Sequence, residues 1–443
     1  MKTQFIDKKS FSSLDKSFSC NLNYAIPDKY KLLEELSNKN EKIINFGSNL
    51  SYSPLGFVKK GISLNIQRFN RVLEFDKTKK IINVEAGISL VELLNFTLKQ
   101  NLWIPQLPGY PTITVGGAVA SNAHGKSCAT HGTIRKSIKK ILLFHKKHGW
   151  LNLSEDENKE IFELTIGGIG LTGTIVSVTL QLQEIESSKF LTKREIVKNV
   201  SECKKLIKEN NKDCFIYSWN RADNLNSFGK GFVFKNQIIK KKKEIDDFKD
   251  FKIMKGRFKP FVFSLWNIYS LKIVNLIYLQ ITKFSKAEKI EDFLNVIFPF
   301  YNKENYFNFF GNKGFIESQL LIHENKLELF LSEYKYLFKK YNPTITLFSL
   351  KNMSGEQKLL RFEDDKICLT FDYINDKKNL LFMSKVDELY KKYQILPSII
   401  KDSRIDKKTF YNVYTESYHF KERLRKFDKD RVYQSEISNR LEI

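Results

Sequence analysis

The sequence lacks the paired cysteines that mark disulfide-bonded or zinc-binding proteins. Its five cysteines are scattered without a Cys-x-x-Cys pair, and its six histidines add no metal-ligand pattern. An odd, scattered set is typical of reduced thiols in an intracellular chain, so we predict neither a disulfide framework nor a metal site. The cysteines are Cys20, Cys128, Cys203, Cys214 and Cys368.

The sequence also lacks a signal peptide and an apolar run suited to crossing a membrane. Residues 1–18 are polar, and the longest apolar and aromatic stretch, at about 258–284, is interrupted by lysines and other polar residues. We therefore expect a cytoplasmic protein, or one held peripherally at the inner membrane. Residues 261–278 are expected to form a core helix, with a helix lying on a membrane surface as the alternative.

Acidic residues are too few to balance the basic ones. The chain has 50 Asp and Glu against 74 Lys and Arg, which gives a formal net charge of +24. This charge favours an acidic lipid surface, a phosphorylated substrate or a nucleic acid. However, the excess is carried mainly by Lys in a chain also rich in Ile, Asn and Phe, which an AT-rich coding bias would produce in any protein. We predict no specific nucleic-acid partner and keep a polyanion-binding protein as an alternative.

Glycine content and hydrophobic pattern divide the chain into three regions. Residues 1–185 are rich in glycine and alternate short β-branched runs with turns, residues 186–385 have longer helical patterns, and residues 386–443 end in a basic tail. Ser89, with Glu92 three residues later, predicts a capped helix. Alternating and β-branched runs predict strands at 43–46, 61–66, 81–87, 140–145 and 174–183.

The segment from Gly168 to Gly173 matches G-x-G-x-x-G, the dinucleotide fingerprint. That fingerprint requires a helix after the glycines, so that the helix N-terminus can receive the pyrophosphate. Here the next residues, TIVSVTLQLQ, alternate as a strand does. We therefore exclude a nicotinamide dehydrogenase of this type and predict a tight glycine turn.

Two further segments have small residues at which a backbone could approach a ligand closely. Residues 46–52 follow a predicted strand, and their N–H groups could form a nest for a pyrophosphate. Residues 108–126 have almost no bulky side chain after Val115 and end in His124 and Lys126. Each segment alone is more often an ordinary turn, but three in this order indicate a binding site.

Together these segments carry a resemblance to a known family. GSNLSY at 47–52, LPGYPTITVGGAVASNAHGK at 107–126 and GGIGLTG at 167–173 resemble the PCMH-type FAD-binding domain of the vanillyl-alcohol oxidase superfamily. The run IIKDSRIDKKTFYNVY at 399–414 is similar to the branch that contains decaprenylphosphoryl-ribose oxidases and aldonolactone oxidases. The resemblance covers about 40–185 and 310–443.

The resemblance implies an α+β fold. A two-subdomain PCMH-type FAD-binding domain would occupy residues 1–185, and an inserted α+β substrate (cap) domain would occupy residues 186–385. Residues 386–443 would return to the FAD domain and the active site.

The resemblance also implies FAD as the cofactor. The pyrophosphate would be held by Gly47, Ser48, Asn49, Leu50, Ser51 and Tyr52. The flavin and its ribityl chain would be lined by Pro108, Gly109, Thr114, Val115, Gly116, Gly117, Ser121, Asn122 and Gly125. The adenosine half would meet Gly173 and Ile175. Several relatives tether FAD through a histidine in the first glycine loop, but no histidine precedes His124. We therefore predict non-covalent FAD, with Cys128 as the alternative point of attachment.

The same resemblance implies which residues face the substrate. His124, Lys126 and Lys401 are the catalytic candidates, with Lys401 as the base or the partner of the substrate hydroxyl. Gln319, Cys368 and Lys401 are the substrate-binding candidates, and Leu369 or Thr370 could take the place of Cys368. The alternatives are ordinary ones: a surface lysine, a hydrogen-bonded core histidine, a solvent-facing glutamine and a buried cysteine.

The implied reaction is the oxidation of a secondary alcohol of a sugar by hydride transfer to flavin N5. The implied substrate is a polyprenyl-phosphate-linked pentose, with the chain acting as the oxidase half of a 2′-epimerase beside an NAD(P)H-dependent reductase. A soluble aldonolactone or sugar-alcohol oxidase remains the alternative within the same fold.

Overall fold

The computed structural model describes residues 6–209, 214–240, 250–252, 259–301 and 303–443. The described strands form four sheets. In chain order the strands are β1 Asp7–Ser12, β2 Ser19–Ala25, β3 Ile43–Phe46, β4 Ile62–Asn65, β5 Val72–Asp76, β6 Ile81–Glu85, β7 Leu102–Trp103, β8 Ile138–His145, β9 Gly149–Leu153, β10 Thr174–Gln181, β11 Gln183–Glu184, β12 Lys189–Val197, β13 Cys214–Asn220, β14 Gly231–Ile238, β15 Glu288–Asp292, β16 Phe315–Ile322, β17 Ile345–Asn352, β18 Ile367–Ile374 and β19 Leu396–Pro397.

Helices and strands alternate along the chain, and the mixed α+β content agrees with the predicted fold class. The helices are α1 Tyr30–Lys39, α2 Leu90–Thr97, α3 Val115–Ala120, α4 Cys128–His131, α5 Lys159–Thr165, α6 Val200–Lys208, α7 Ile268–Phe284, α8 Phe293–Ile297, α9 Asn305–Asn308, α10 Glu324–Tyr341, α11 Lys377–Tyr393, α12 Lys407–Val413, α13 Ser417–Phe427 and α14 Glu436–Leu441.

Two sheets are built from the first part of the chain, with strand orders β1-β2-β4-β3 and β5-β6-β10-β8-β9. They contain the five strands that the sequence predicts. The capping box of α2 is confirmed: Ser89 Oγ accepts from Glu92 N at 3.3 Å, and Glu92 Oε2 accepts from Ser89 N at 2.8 Å. The glycine turn ending at Gly173 leads into β10, which confirms that it opens a strand.

The largest sheet is antiparallel, with strand order β15-β12-β14-β13-β17-β18-β16-β19. Helices α10 and α11 pack against one another, and their apolar side chains share a buried cluster with one face of the sheet. Phe371 of that face stacks on Phe348 at 4.5 Å and on Tyr334 of α10 at 4.9 Å between ring centroids. Because side chains alternate along a strand, the other face is free to line a cavity.

The C-terminal residues pack against strands formed near the start of the chain. Ile43 N donates to Val432 O at 2.8 Å, and Tyr433, which is buried, donates from its hydroxyl to Phe144 O at 3.3 Å. Residues of α12, α13 and α14 share a buried cluster with Ile44 of β3. The last part of the chain therefore stabilises the first sheet.

Helix α7 shows that one prediction was wrong. The sequence predicted a core helix at 261–278, but most apolar side chains of α7 are exposed, including Ile281 at 65% and Phe284 at 83%. Only Leu271, Asn275 and Thr282 of the helix are buried. No described helix combines the length and the apolar character that crossing a membrane requires.

Candidate active site

A cavity of about 1050 Å³ lies among the glycine loops, the largest sheet and α7. Its volume is at the upper end of the roughly 300–1,000 Å³ of sites for drug-sized ligands. Its walls come from residues far apart in sequence, from Leu14 to Lys401. A cavity of this size has room for an extended cofactor together with part of a substrate.

The first glycine loop, 47–52, forms one wall of the cavity directly after β3. Asn49 has a φ of 54°, the left-handed conformation that turns the loop. Ser48 Oγ donates to Thr112 O, which fixes this loop to the second glycine segment. A Cβ on Gly47 would overlap the Thr114 side chain, so the close approach of the two segments requires glycine.

The second glycine segment forms a wall without bulky side chains. Thr114 caps the short helix α3 by accepting from Gly117 N at 3.2 Å. A Cβ on Gly125 would overlap the carbonyl oxygen of Leu107, so this turn also depends on glycine. The small residues that line the cavity here are Gly109, Gly117, Ala120, Ser121, Ala123 and Gly125. Such a wall lets a flat ring system approach the backbone, and the residues present therefore fit FAD.

Most of the residues predicted to contact FAD line this cavity. They are Gly47, Ser48, Asn49, Leu50, Ser51, Tyr52, Pro108, Gly109, Thr114, Gly117, Ser121 and Gly125. Cys128, the alternative attachment point, is fully buried outside the lining and donates to Asn352 O at 3.2 Å. That FAD is bound non-covalently stays a prediction.

Five residues predicted to contact FAD do not line the cavity. Val115 points into the core, and Asn122 is buried and donates to Glu363 Oε2 at 3.0 Å. A Cβ on Gly116 would lie 2.9 Å from Ala86 Cβ, so this glycine serves packing. Gly173 immediately precedes β10, and Ile175 lies within it. The cavity is lined instead by Ile169 and Gly170 of the same glycine run.

His124 and Lys126 both reach the cavity, as predicted. Burial, and then the charges of Lys351 and Lys401, lowers the pKa of His124 well below its usual range. Burial, and then the charges of Lys351 and Lys303, likewise lowers the pKa of Lys126. Lys126 Nζ also donates to Val296 O and lies 4.5 Å from the Tyr217 ring centroid.

Two lysines that were not predicted, Lys303 and Lys351, add positive charge to this region. Lys303 and Lys351 line the cavity and act electrostatically on Lys126. Among the described residues, no carboxylate forms an ion pair with Lys126, Lys303 or Lys351. Lys303 and Lys351 therefore form a positive region that attracts an anionic ligand.

Lys401 lies in a loop that is fixed from three directions. Ser398 N donates to Gln319 O at 2.8 Å, and Ser403 Oγ donates to Asp15 Oδ2 at 2.6 Å. Arg404 bridges Asp402 at 2.7 Å and Asp387 at 3.0 Å. This network makes Lys401 a positioned side chain of the cavity, in place of the surface lysine that was the alternative.

Two buried carboxyl groups lie beside Lys401. Its Nζ is 3.4 Å from Glu317 Oε1 and 3.7 Å from the Tyr52 ring centroid. Glu317 pairs with Asp372 across β16 and β18, and Tyr306 donates from its hydroxyl to Asp372 Oδ2 at 2.7 Å. Burial, and then the charge of Glu317, raises the pKa of Asp372 well above its ordinary value of 3.8. The raised pKa keeps a proton on Asp372.

Gln319 lines the cavity from the same strand as Glu317 and is almost fully buried. Its Nε2 donates to Thr370 Oγ1 at 3.3 Å, while its Oε1 has no hydrogen-bond partner among the described residues. Within the same part of the chain, Glu317 Oε1 also lacks a hydrogen bond. An unpaired buried oxygen is costly, so Gln319 Oε1 indicates a site for a ligand that donates a hydrogen bond, whereas Glu317 Oε1 is held by Lys401 at 3.4 Å.

Cys368, expected to face the substrate, does not line the cavity, whereas its stated alternative Thr370 does. Both side chains lie on the same face of β18 because they are two residues apart. Cys368, however, pairs with Leu321 and is fully buried in an apolar cluster that closes this end of the sheet. Burial raises the pKa of its thiol to about 12.

Comparison with known proteins agrees with this geometry. Residues 28–151 match the family model of the FAD binding domain. Decaprenylphosphoryl-β-D-ribose oxidase of Mycolicibacterium smegmatis is 23% identical over 429 residues, which cover 90% of this chain and 89% of that protein. L-gulonolactone oxidase of Mus musculus is 30% identical over 173 residues, 38% of each chain. Mitochondrial L-galactono-1,4-lactone dehydrogenase of Brassica oleracea is 30% identical over 196 residues, 43% of this chain and 32% of that protein.

The chain is an FAD-dependent oxidoreductase. The domain match and the small-residue wall fall on the same residues, since 47–52 and 107–126 lie within 28–151. The enzyme is similar to the ribose oxidase along nearly its whole length, whereas its match to the two lactone enzymes spans only about a third of their lengths.

The alternation of side chains along a strand marks two cavity residues that were not predicted. Glu317 lies two residues before Gln319 in a strand, so the period of two places both on one face. Lys351 follows Leu347 and Ser349 at the same spacing in β17, and all three line the cavity. No local signal marks Lys303, whose place depends on the fold around it.

A thiol-labelling experiment tests the register of β18. We expect the Thr370→Cys variant to be modified by methyl methanethiosulfonate at position 370, because that position opens to the cavity. Cys368 should stay unmodified in the folded enzyme, because it is buried and burial raises its pKa to about 12. Peptide mass spectrometry after timed labelling measures both rates, with partly exposed Cys20 as the internal control. Equal labelling at 368 and 370 would contradict this register.

The pH dependence of stability tests the buried carboxyl pair. With its pKa raised above 3.8, Asp372 keeps a proton in the folded enzyme that the unfolded chain releases above about pH 4. Burial of Asp372 therefore costs progressively more stability as the pH rises, until the folded group ionises. The Asp372→Asn variant should gain in Tm relative to the natural enzyme from pH 4 upward, whereas exposed Asp365→Asn should show no such trend. A difference that shrinks with rising pH would contradict the protonated state.

Proposed function

We propose that the enzyme oxidises a secondary alcohol of a pentose that carries a polyprenyl phosphate, as the oxidase half of a 2′-epimerisation. The observation that carries the proposal is the group formed by Lys401, Glu317 and Gln319 in the same cavity as the small-residue wall. The full-length similarity to decaprenylphosphoryl-β-D-ribose oxidase supports the choice of substrate.

Oxidation of an alcohol requires a place for the hydroxyl proton and an acceptor for the hydride. FAD, when bound, supplies the hydride acceptor. Lys401, as the base, would take the hydroxyl proton, and Glu317, 3.4 Å behind it, would stabilise the ammonium charge that this proton creates on Lys401. The unpaired Oε1 of Gln319 would accept from a second hydroxyl and orient the sugar.

The positive part of the cavity supports a phosphorylated substrate. Lys126, Lys303 and Lys351 lack carboxylate partners among the described residues and come from elements other than the 47–52 loop. That loop is the proposed site of the FAD pyrophosphate. The lysines therefore suit a second anion, which a phosphodiester at C1 of the sugar would supply.

We also propose a domain organisation, a partner enzyme and a location for the enzyme. Residues 1–185 would bind FAD in a two-subdomain PCMH-type arrangement, residues 186–385 would form the inserted substrate domain, and residues 386–443 would return Lys401 to the active site. The keto sugar produced would be reduced by a separate NAD(P)H-dependent enzyme, which completes inversion at that carbon. A polyprenyl chain would hold the substrate, and with it the enzyme, at the cytoplasmic face of the inner membrane.

Anaerobic flavin reduction tests the proposal directly. A pentose joined through C1 to a short prenyl phosphate should bleach the flavin absorbance of the enzyme in stopped flow, and Lys401→Met should slow this by at least ~100-fold. Lys408→Met is the matched control, because Lys408 is exposed in the following helix. Equal rates in the two variants, with FAD bound in both, would refute the role of Lys401.

The same measurement distinguishes the alternative substrates. Lys351→Met should raise the substrate concentration needed for half-maximal reduction by the prenyl-phosphate sugar and leave any reaction of a free sugar unchanged. Faster reduction by free aldonolactones than by the phosphorylated sugar would favour a soluble aldonolactone oxidase. Loss of flavin binding together with strongly salt-dependent binding of nucleic acid would favour a polyanion-binding protein.

The absorbance spectrum tests the state of the cofactor. We expect the purified enzyme to be yellow and to release its flavin into the supernatant after acid precipitation, because no histidine precedes His124 and Cys128 is buried. The flavin content of supernatant and pellet is measured by absorbance before and after precipitation. Flavin retained in the pellet would show a covalent link and contradict the prediction.

A further inference from the structure

Helix α7 has the reverse of the usual arrangement of side chains on a surface helix. Its buried positions are Leu271, Asn275 and Thr282, two of which are polar, and Asn275 Nδ2 donates to Asp223 Oδ1 at 3.2 Å. Its exposed positions are mostly large and apolar. They include Tyr269, Ile273, Leu276, Ile277, Ile281 and Phe284. Water does not favour this arrangement, so the outer face of α7 indicates a partner.

The segment just before α7 extends the same apolar surface. Phe261, Val262 and Phe263 are exposed, with Val262 at 80%. The segment is held in place, since Phe261 N donates to Asn308 O at 3.2 Å and Leu265 N donates to Phe309 O at 2.8 Å. We call residues 261–263 and the exposed side of α7 the α7 surface. It is a fixed apolar surface of the folded enzyme.

The inner side of α7 belongs to the active-site cavity. Asn275 and Tyr278 line the cavity, as does Trp266 immediately before the helix. The helix is therefore a thin wall with the cavity on one side and the α7 surface on the other. A molecule that meets the α7 surface is one helix diameter away from the cavity, about 10–12 Å.

The charged residues in the segment that carries the α7 surface are all of one sign. Residues 259–287 contain four lysines and no aspartate or glutamate. Lys272, Lys283 and Lys286 are exposed in the part that the structure describes. Apolar side chains flanked by lysines are the arrangement of helices that lie in the interface of an anionic bilayer.

We infer that the α7 surface binds the enzyme to the surface of an anionic lipid bilayer. A second copy of the chain fits less well, because a two-fold contact would bring two lysine-flanked surfaces together without a carboxylate in 259–287 to compensate them. The inference deepens the proposed function, since a lipid-linked sugar would be presented beside the wall of the cavity. Binding to lipid itself does not depend on the substrate.

Vesicle flotation of the FAD-loaded enzyme tests the inference. The enzyme should float with phosphatidylcholine vesicles that contain about one third phosphatidylglycerol, and binding should fall with added salt. Substituting Ile277→Asp and Ile281→Asp together should reduce the bound fraction at least tenfold. The matched control is Leu329→Asp with Leu381→Asp, two exposed leucines of α10 and α11, which should bind as the natural enzyme does.

Three results would overturn the inference. The first is natural enzyme that does not float, and the second is equal flotation of the α7 and control variants. The third is light scattering that shows a dimer, converted to monomer by the α7 substitutions while vesicle binding is unchanged, which would identify a second copy as the partner.

Flavin reduction by the short-chain substrate in solution separates this inference from the proposed function. Neither Ile277 nor Ile281 lines the cavity, so the α7 variant should keep the rate of the natural enzyme. Flotation without flavin reduction would remove the proposed function and leave the bilayer contact. Flavin reduction without flotation would remove the bilayer contact and leave the proposed function.

Discussion

The pairing of β16 with β18 sets which side chains meet in the cavity. In this register Gln319 lies opposite Thr370 and Glu317 lies opposite Asp372. β19 pairs with the other edge of β16, so the loop that carries Lys401 starts beside that strand. A slip of one residue would turn Glu317 and Gln319 toward α10 and α11 and bring apolar side chains into the cavity. The packing of Phe371 between Phe348 and Tyr334 opposes such a slip.

This dependence on register explains which features could be predicted from the sequence. The glycine segments, the strand after Gly173 and the capping box at Ser89 are local, and each was predicted correctly because neighbouring residues determine it. The position of Cys368 was not predicted correctly. The alternation of side chains assigns each one to a face of the strand, but it does not say where along the strand the cavity ends. The prediction that α7 is buried was wrong for a related reason. Composition shows that a helix is apolar, but it does not show whether another surface covers the helix.

The cavity separates its charges by the elements that carry them. The lysines at 126, 303 and 351 lie without carboxylates among the described residues, whereas Lys401 faces Glu317. Lys401 and Glu317, 3.4 Å apart, compensate one another, whereas Lys303 and Lys351 remain available to an anionic ligand. Burial, and then the charges of Lys351 and Lys401, lowers the pKa of His124 and keeps its ring neutral, because a proton there would add positive charge beside these lysines.

The contact of Val432 and Tyr433 with the first sheet has a consequence for biosynthesis. Ile43 emerges from the ribosome about 390 residues before its partner, and Lys401 also follows late. At the usual ~5–20 residues per second, the glycine loops would wait tens of seconds for the segments that complete the cavity. The cavity is therefore completed late in synthesis, long after the glycine loops that form its small-residue wall have been made.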